Sequence, residues 1–186
     1  MATITLLDDN SRPKAPKLEG ALPHHERPGQ HLKTIHRYHL MQMSEVRRYM
    51  EKIERGESKL AKLGSALTNL KMHESIRIFG NLCGQDCEML NAHHSIESQM
   101  LFPALHERGN GGIKKVVERL MAEHEIIHHY LGELQFHTSA TTQNPTVENY
   151  QALKQAFSKL EKIIHSHFKY VETELHVAIG FYGVVI

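Results

Sequence analysis

Cysteine and net charge are both scarce in this chain of 186 residues, and each shortage excludes a class of protein. Two cysteines, Cys83 and Cys87, cannot build a disulfide scaffold, which favours the cytoplasm. A net charge of +1 argues against a protein that binds nucleic acid or a membrane surface. No apolar run approaches the roughly 20 residues that a membrane-spanning helix needs. The sequence therefore predicts one cytoplasmic globular domain.

Histidine is the residue in excess, with 16 copies, or about one residue in twelve. Its side chain titrates near neutrality, and it is the commonest metal ligand in proteins. Sixteen scattered histidines would mean little. The question is whether some of them share a buried position.

The distribution of proline divides the chain near residue 28. Residues 1–28 hold four of the six prolines and few large apolar residues, so we expect a flexible N-terminal arm. From residue 29 to 182 apolar residues recur at steps of three and four, which is typical of amphipathic helices. The helical segments are 30–56, 75–106, 113–138 and 146–178, with a short connector helix at Leu60 to Leu70. We predict an all-α fold, an antiparallel up-down-up-down four-helix bundle over residues 29–182.

Helical phase, at 100° per residue, places at least one histidine of each long helix on the buried face. On the second helix a carboxylate shares the buried face with the histidines. Burying a carboxylate costs several kcal/mol unless it is paired or bound to metal. A metal centre would satisfy the imidazoles and the carboxylate together. The inward residues are His39, with His36 to one side; His93, His94 and Glu97; His124 and His128; and His167.

The fourth helix also carries Glu172, five residues after His167. An ideal α-helix separates such a pair by roughly 140°. A π-type turn would bring the two side chains together, and such turns are frequent at functional sites. We therefore predict a π-type distortion within residues 167–172.

Two other metal motifs fit less well. His124-Glu125-Ile126-Ile127-His128 matches the H-E-x-x-H signature of zinc metalloproteases, but Glu125 points roughly 100° away from both histidines. The ferritin-type site needs two Glu-x-x-His motifs, and only Glu125 to His128 has that spacing. An imidazole-rich set suits iron, zinc, copper or nickel, and one or two bridging acids suit a pair of iron ions.

The stretch His93-His94-Ser95-Ile96-Glu97-Ser98-Gln99-Met100-Leu101-Phe102-Pro103 resembles the haemerythrin-like HHE cation-binding family, which typically reads H-H-x-x-E-E-x-x-L-F-P. Ser98 stands where the family has its second glutamate. Glu123-His124-Glu125 with His128, and His167-Phe168 followed by Glu172, are similar to the family's later ligand stretches. The resemblance covers about residues 30–180. It implies a four-helix bundle around two non-haem iron ions with an oxo or hydroxo bridge.

Carried over position by position, the resemblance also implies a ligand set in which the two carboxylates bridge the metals. That set is His39, His93, Glu97, His124, His128, His167 and Glu172. His36 remains an alternative to His39, and His94 to His93. The implied partner is O2 or a related small ligand, peroxide or nitric oxide. An oxidoreductase that activates O2 or decomposes peroxide is the alternative, and a structural zinc bundle is a third hypothesis.

Overall fold

The computed structural model describes residues 8–55 and 84–185. Within those ranges the chain is helical without any strand, which confirms the predicted all-α class. The helices are α1 (Glu26–Glu54), α2 (residues 84–96), α3 (Phe102–Arg108), α4 (Gly111–Gln143), α5 (Val147–Glu174) and α6 (Ala178–Phe181). Short 3-10 turns occupy Asp9–Ser11 and Pro23–His25. The connector helix predicted at Leu60 to Leu70 lies outside the described residues.

Side chains at the predicted breaks set where α4 and α5 begin. Before α4, Asn110 Oδ1 accepts hydrogen bonds from the N–H groups of Gly112 and Ile113, at 3.0 and 3.1 Å. Before α5, Thr146 Oγ1 accepts from the Asn149 N–H at 3.2 Å. Both satisfy N–H groups that lack partners within the first turn of a helix. Helix α4 begins close to the predicted residue 113 and α5 close to the predicted residue 146.

The chain divides into two compact units. The first comprises Met1–Tyr38, Asn91–His129 and Ile163–Ile186. Its apolar core combines the first turns of α1, the whole of α3, the start of α4 and the end of α5 with α6. The core residues include Leu32, Phe102, Leu105, Ile113, Leu120, Val171 and Ile179.

Gly29 permits a close backbone approach inside this first unit. A Cβ atom added there would lie 2.1 Å from the His176 carbonyl oxygen. No side chain fits at that distance, so the start of α1 can pack directly on the segment between α5 and α6.

The second unit comprises His39–Leu90 and Tyr130–Lys162. Its described core is also apolar, with Met43, Val46, Leu134, Leu153 and Leu160 buried. A cavity of about 20 Å³ lies among these helices, and its wall includes His39, Asp86 and Cys87. In the same unit the buried Tyr150 hydroxyl donates to the Met50 carbonyl at 3.0 Å.

The predicted π distortion at residues 167–172 is wrong, because α5 runs through this segment as a regular α-helix. A π turn instead occupies Glu97–Leu101, closed by a hydrogen bond from the Phe102 N–H to the Glu97 carbonyl. Pro103 follows in the first turn of α3. Proline has no N–H, and its ring clashes with the carbonyl four residues earlier in a regular helix, so a wider turn before it relieves that contact.

Residues 8–25 belong to the stretch expected to form a flexible arm. Here they are part of the first unit, where Ala15 and Leu18 are partly buried against the apolar core. The Tyr170 hydroxyl donates to the Pro13 carbonyl at 2.6 Å. This part of the arm is therefore attached to the helices.

Hydropathy along the described helices gives no membrane-spanning candidate, since none is both long and apolar enough to cross a bilayer.

Candidate metal centre

Two groups of potential metal ligands lie in the first unit, and they share one carboxylate. The first group is His36, His93 and Glu97, and the second is His94, Glu97, His124 and His167. Within each group the ligand atoms all lie within 4.8 Å of one another. Ligand nitrogens at about 2.1 Å from one ion are at most about 4.2 Å apart, so each group needs only a small contraction to close on a cation.

The two oxygens of Glu97 face different histidines. Glu97 Oε1 lies 3.6 Å from His36 Nε2, and Oε2 lies 3.3 Å from His124 Nε2. The side chain of His124 in turn approaches His167, with their Nε2 atoms 3.1 Å apart. Oε2 also lies 3.7 Å from His93 Nε2 of the first group, so Glu97 stands between the two groups and both approach its carboxylate.

Helix geometry explains how a single short stretch serves both groups. His93 and His94 are adjacent in α2, so their side chains diverge by about 100° around the axis. Glu97 comes four residues after one and three after the other, which places it about 40° from the first direction and about 60° from the second. A carboxylate at this position can reach toward either histidine.

Several buried polar atoms of these groups have no hydrogen-bond partner among the described residues. His36 and His94 are fully buried, and Glu97 is 2 % exposed. Neither oxygen of Glu97, neither ring nitrogen of His94, nor Nε2 of His36 has a hydrogen-bond partner. Each unsatisfied buried polar group costs about 1–3 kcal/mol. Imidazole nitrogens converging on a buried carboxylate fit a bound cation, which would satisfy the carboxylate and one ring nitrogen of each histidine.

Burial and mutual repulsion favour the metal-binding form of the second group. Burial lowers the pKa of His167 to about 4, against a smaller opposing effect of its hydrogen bond to Glu123. Burial, together with repulsion from His124 and His167, also holds the pKa of His94 well below its ordinary value. At neutral pH both side chains are neutral imidazoles, the form that ligates metals.

In the first group the contacts between carboxylates and histidines together outweigh the effect of burial on the pKa values. Burial alone would raise the pKa of Glu97, but the adjacent side chains of His124 and His36 outweigh it and hold the pKa well below the ordinary value. Burial likewise opposes protonation of His36, yet its contacts with Glu172 and Glu97 raise its pKa overall. Glu97 is therefore an anion at neutral pH and a suitable cation ligand.

Three of the histidines are also held on the side of the ring away from the shared carboxylate. His167 Nδ1 donates to Glu123 Oε2 at 3.1 Å, and His36 Nδ1 donates to Glu172 Oε1 at 3.2 Å. Such carboxylate contacts orient a ligand imidazole and fix which nitrogen faces the metal. His124 Nδ1 lies 2.7 Å from the Ser98 hydroxyl, which can donate or accept.

An aromatic side chain completes the packing of His36. The Phe168 ring stacks on it with centroids 3.9 Å apart and planes 2° from parallel. Phe168 is 1 % exposed. The ring therefore seals this face of His36 from solvent.

Four residues of the sequence-based ligand set lie in the two groups: His93, Glu97, His124 and His167. His36 and His94, the two alternatives left open by the sequence, lie there as well. His93 and His94 are thus not exclusive choices, because each belongs to a different group.

Three other residues of that set lie outside both groups among the described residues. His39 belongs to the second unit and lines its cavity. His128 is half-buried, with its ring centroid 6.4 Å from that of His124. Glu172 contacts His36 and also lies 3.8 Å from Lys33 Nζ.

The arrangement of the H-E-x-x-H residues does not fit a metalloprotease site. Glu125, its would-be general base, is exposed, and of its two histidines only His124 belongs to a ligand group. A base that points into solvent cannot activate a water on a buried ion.

The contact of Glu123 with His167 is not evident from the sequence pattern. Glu123 is 5 % exposed and also pairs with Arg12 and Arg119. Burial opposes its ionisation, but its hydrogen bonds to His167 and to the two arginines lower its pKa to about 2. Its neighbours in the sequence, His124 and Glu125, gave the only signal, since all three belong to one of the stretches that resemble the family.

One family model matches most of the chain. Neither the curated proteins nor the solved structures gave a match. Residues 27–179 match the family model described as Hemerythrin HHE cation binding domain. That match runs from the second residue of α1 into α6 and includes every member of the two ligand groups. The helical fold, the buried histidine and glutamate groups and this match together show that the chain belongs to the hemerythrin HHE cation-binding domain family.

Proposed function

We propose that this protein binds two non-haem iron ions at adjacent positions and uses them to bind O2 or a related small ligand, peroxide or nitric oxide. His36 and His93 hold the first ion, and His94, His124 and His167 hold the second. The carboxylate of Glu97 bridges the two. The observation that carries the proposal is that Glu97, buried and without a hydrogen bond, belongs to both ligand groups.

The donor set favours iron over a structural zinc ion. Structural zinc sites are usually closed by four ligands around one tetrahedral ion. Here five imidazoles and a shared carboxylate are distributed over two positions, which suits a pair of iron ions with coordination positions left for a small ligand. Bound iron of this kind supplies the electrons for reversible binding or reduction of a dioxygen species.

The protein's own contribution is to position the imidazoles and to keep water away. Glu123 and Glu172 hold His167 and His36 through their outer nitrogens, at 3.1 and 3.2 Å. The rings of Phe168 and Phe102 cover the histidines, with the Phe102 centroid 5.0 Å from that of His124. In this proposal Glu172 orients His36, and the site is reached only by small molecules. We also propose that the helices form an antiparallel up-down-up-down bundle and that the protein is cytoplasmic.

Anaerobic reconstitution with Fe²⁺ tests the function directly. We expect two irons per chain and a new absorption band in the near ultraviolet or visible range on adding O2, peroxide or nitric oxide. Repeated consumption of O2 or peroxide by the loaded protein would identify an oxidoreductase instead of a binding protein. One tightly bound zinc ion with no response to any of these ligands would refute the proposal.

Histidines 94 and 128 provide the sharpest test of the ligand set. His94→Ala is expected to lower the iron content from two ions to one, because His94 lies in the second group. His128→Ala is expected to retain two ions, since His128 belongs to neither group. Both substitutions remove one imidazole from the same unit, so each is a control for the other. The reverse pattern would restore His128 to the ligand set.

A further inference from the structure

A short segment ahead of α1 reaches the neighbourhood of the metal centre. Residues 8–16, here called the strap, lie on the surface formed by α4 and the end of α5 in the first unit. Three contacts hold its second half. The Tyr170 hydroxyl donates to the Pro13 carbonyl at 2.6 Å, the Ala15 N–H donates to Glu174 Oε2 at 2.6 Å, and the Pro16 ring lies over Gly112, where an added Cβ atom would be 2.5 Å from Pro16 Cδ.

Arg12 extends from the strap into a largely buried position, with 14 % of its side chain exposed. Its Nε and Nη2 atoms donate to Oε1 and Oε2 of Glu123 at 2.8 and 3.0 Å. Nη1 donates to the Ser166 hydroxyl at 2.8 Å, and the guanidinium carbon lies 4.7 Å from the centre of the Tyr170 ring. The two parallel bonds to one carboxylate require the planar fork of arginine.

Glu123 carries this contact on to the second ligand group. The oxygen that accepts from Arg12 Nη2, Oε2, also accepts from His167 Nδ1 at 3.1 Å. His167 is fully buried, and its other nitrogen faces His124 Nε2 at 3.1 Å. Arg12, Glu123 and His167 therefore form a continuous hydrogen-bonded chain from the strap to the ligands.

We infer that Arg12 is a positioning residue for the metal centre, holding Glu123 in the orientation that directs His167 Nε2 toward the ion. The inference rests on the proposed function. Because Arg12 fixes both oxygens of Glu123, the carboxylate cannot rotate away from His167, and the imidazole keeps its proton on Nδ1. Arg119 donates to Oε1 of Glu123, at 2.8 Å. It therefore does not hold Oε2, the oxygen that faces His167.

Metal affinity in Arg12 variants tests this role. We expect Arg12→Gln to weaken binding of the ion held by His167 by about 10–100-fold, the usual effect of removing a group that orients a ligand. The absorption spectrum of the protein loaded with Co²⁺ should change as well, since its bands report the geometry around the ion. Arg12→Lys keeps the charge but not the fork, and it should lose less affinity than Arg12→Gln.

Lys14→Gln is the matched control, because it removes the same charge from an exposed position of the same strap. We expect it to leave both the affinity and the Co²⁺ spectrum unchanged. An equal loss in Lys14→Gln would show that the net charge of the strap matters and that the position of Arg12 does not.

A double-mutant cycle separates positioning from a general structural effect. If Arg12 acts through Glu123, Arg12→Gln should have little further effect on affinity in a Glu123→Gln background. An undiminished effect in that background overturns the inference, as does wild-type affinity and spectrum in Arg12→Gln. Should Arg12→Gln fail to fold, the same cycle is run with Arg12→Lys. Failure of the wild-type protein to bind Fe²⁺ or Co²⁺ would instead refute the proposed function itself.

Discussion

Replacing Glu97 with glutamine is expected to remove both metal ions, because both ligand groups use its carboxylate. Its oxygens lie 3.6 Å from His36 Nε2 and 3.3 Å from His124 Nε2. Glutamine keeps the size of the side chain but loses the negative charge and one of the two oxygens. His36→Gln removes a ligand of the first position alone, and His167→Gln a ligand of the second alone.

The size of the effect follows from the number of ions lost. An ion present at 1,000 times its Kd stabilises the folded protein by about 4 kcal/mol. In a chain of this length each kcal/mol changes the melting temperature by roughly 2–4 °C. We therefore expect each position to contribute about 8–16 °C to the rise in melting temperature on adding metal. Wild-type protein shows both contributions, the two histidine variants one each, and Glu97→Gln close to none.

Calorimetry with and without Fe²⁺ under anaerobic conditions measures the shift, and metal analysis after gel filtration counts the ions. Glu125→Gln is the matched control, since it is the same chemical change at an exposed position of α4 beside His124. It should retain two ions and the full shift.

Two results would refute the shared-carboxylate arrangement. The first is a Glu97→Gln protein that retains one ion and half of the shift, since a bridging ligand cannot be lost from one position only. The second is a His36→Gln protein that loses both ions although its second group is intact.

Two further predictions concern the stability of the metal-free protein. The pKa of His167 falls from 6.5 to about 4 on folding and that of His94 also falls, so the unfolded chain binds protons first as the pH drops. The free energy of unfolding should therefore decrease between pH 6.5 and 4, by up to about 3 kcal/mol for His167 alone. The raised pKa of His36 opposes this trend in part. Urea unfolding at intervals of pH measures the sum, and a stability that rises on acidification would contradict it. Separately, Gly29→Ala should destabilise the protein by about 1–3 kcal/mol, because its Cβ would lie 2.1 Å from a carbonyl oxygen. Gly132→Ala, with nothing within 4 Å, should stabilise α4 by up to about 1 kcal/mol, and equal melting temperatures for the two variants would disprove this steric argument.

The helices could be predicted well from the sequence because apolar periodicity is a local property. The segment predicted at 30–56 is helical from Glu26 to Glu54, and that predicted at 146–178 is helical from Val147 to Glu174. Helix α4 continues five residues beyond its predicted end. Thr138, Thr141 and Thr142 donate to the carbonyls four residues earlier at 2.7–2.8 Å, so their hydroxyl groups bond along the helix and do not interrupt it.

The ligand set could be predicted only in part, because phase tells which side of a helix is buried but not what lies opposite. His36 and His39 are both buried, at 0 and 8 % exposure. What distinguishes His36 is its contact with Phe168 and Glu172 on α5, more than 130 residues away in the sequence. Periodicity within α1 contains no information about that contact. The same holds for Arg12 and Glu123, which are separated by 111 residues.

The spacing of His167 and Glu172 shows how a correct local calculation led to a wrong structural prediction. Five residues separate the two side chains by roughly 140° on a regular α-helix. A π turn was needed only on the assumption that both side chains serve the same ion. With two positions the need disappears: His167 faces His94 and His124, and Glu172 faces His36 in the other group. A regular α5 is therefore compatible with both contacts, and the five-residue spacing requires no π turn.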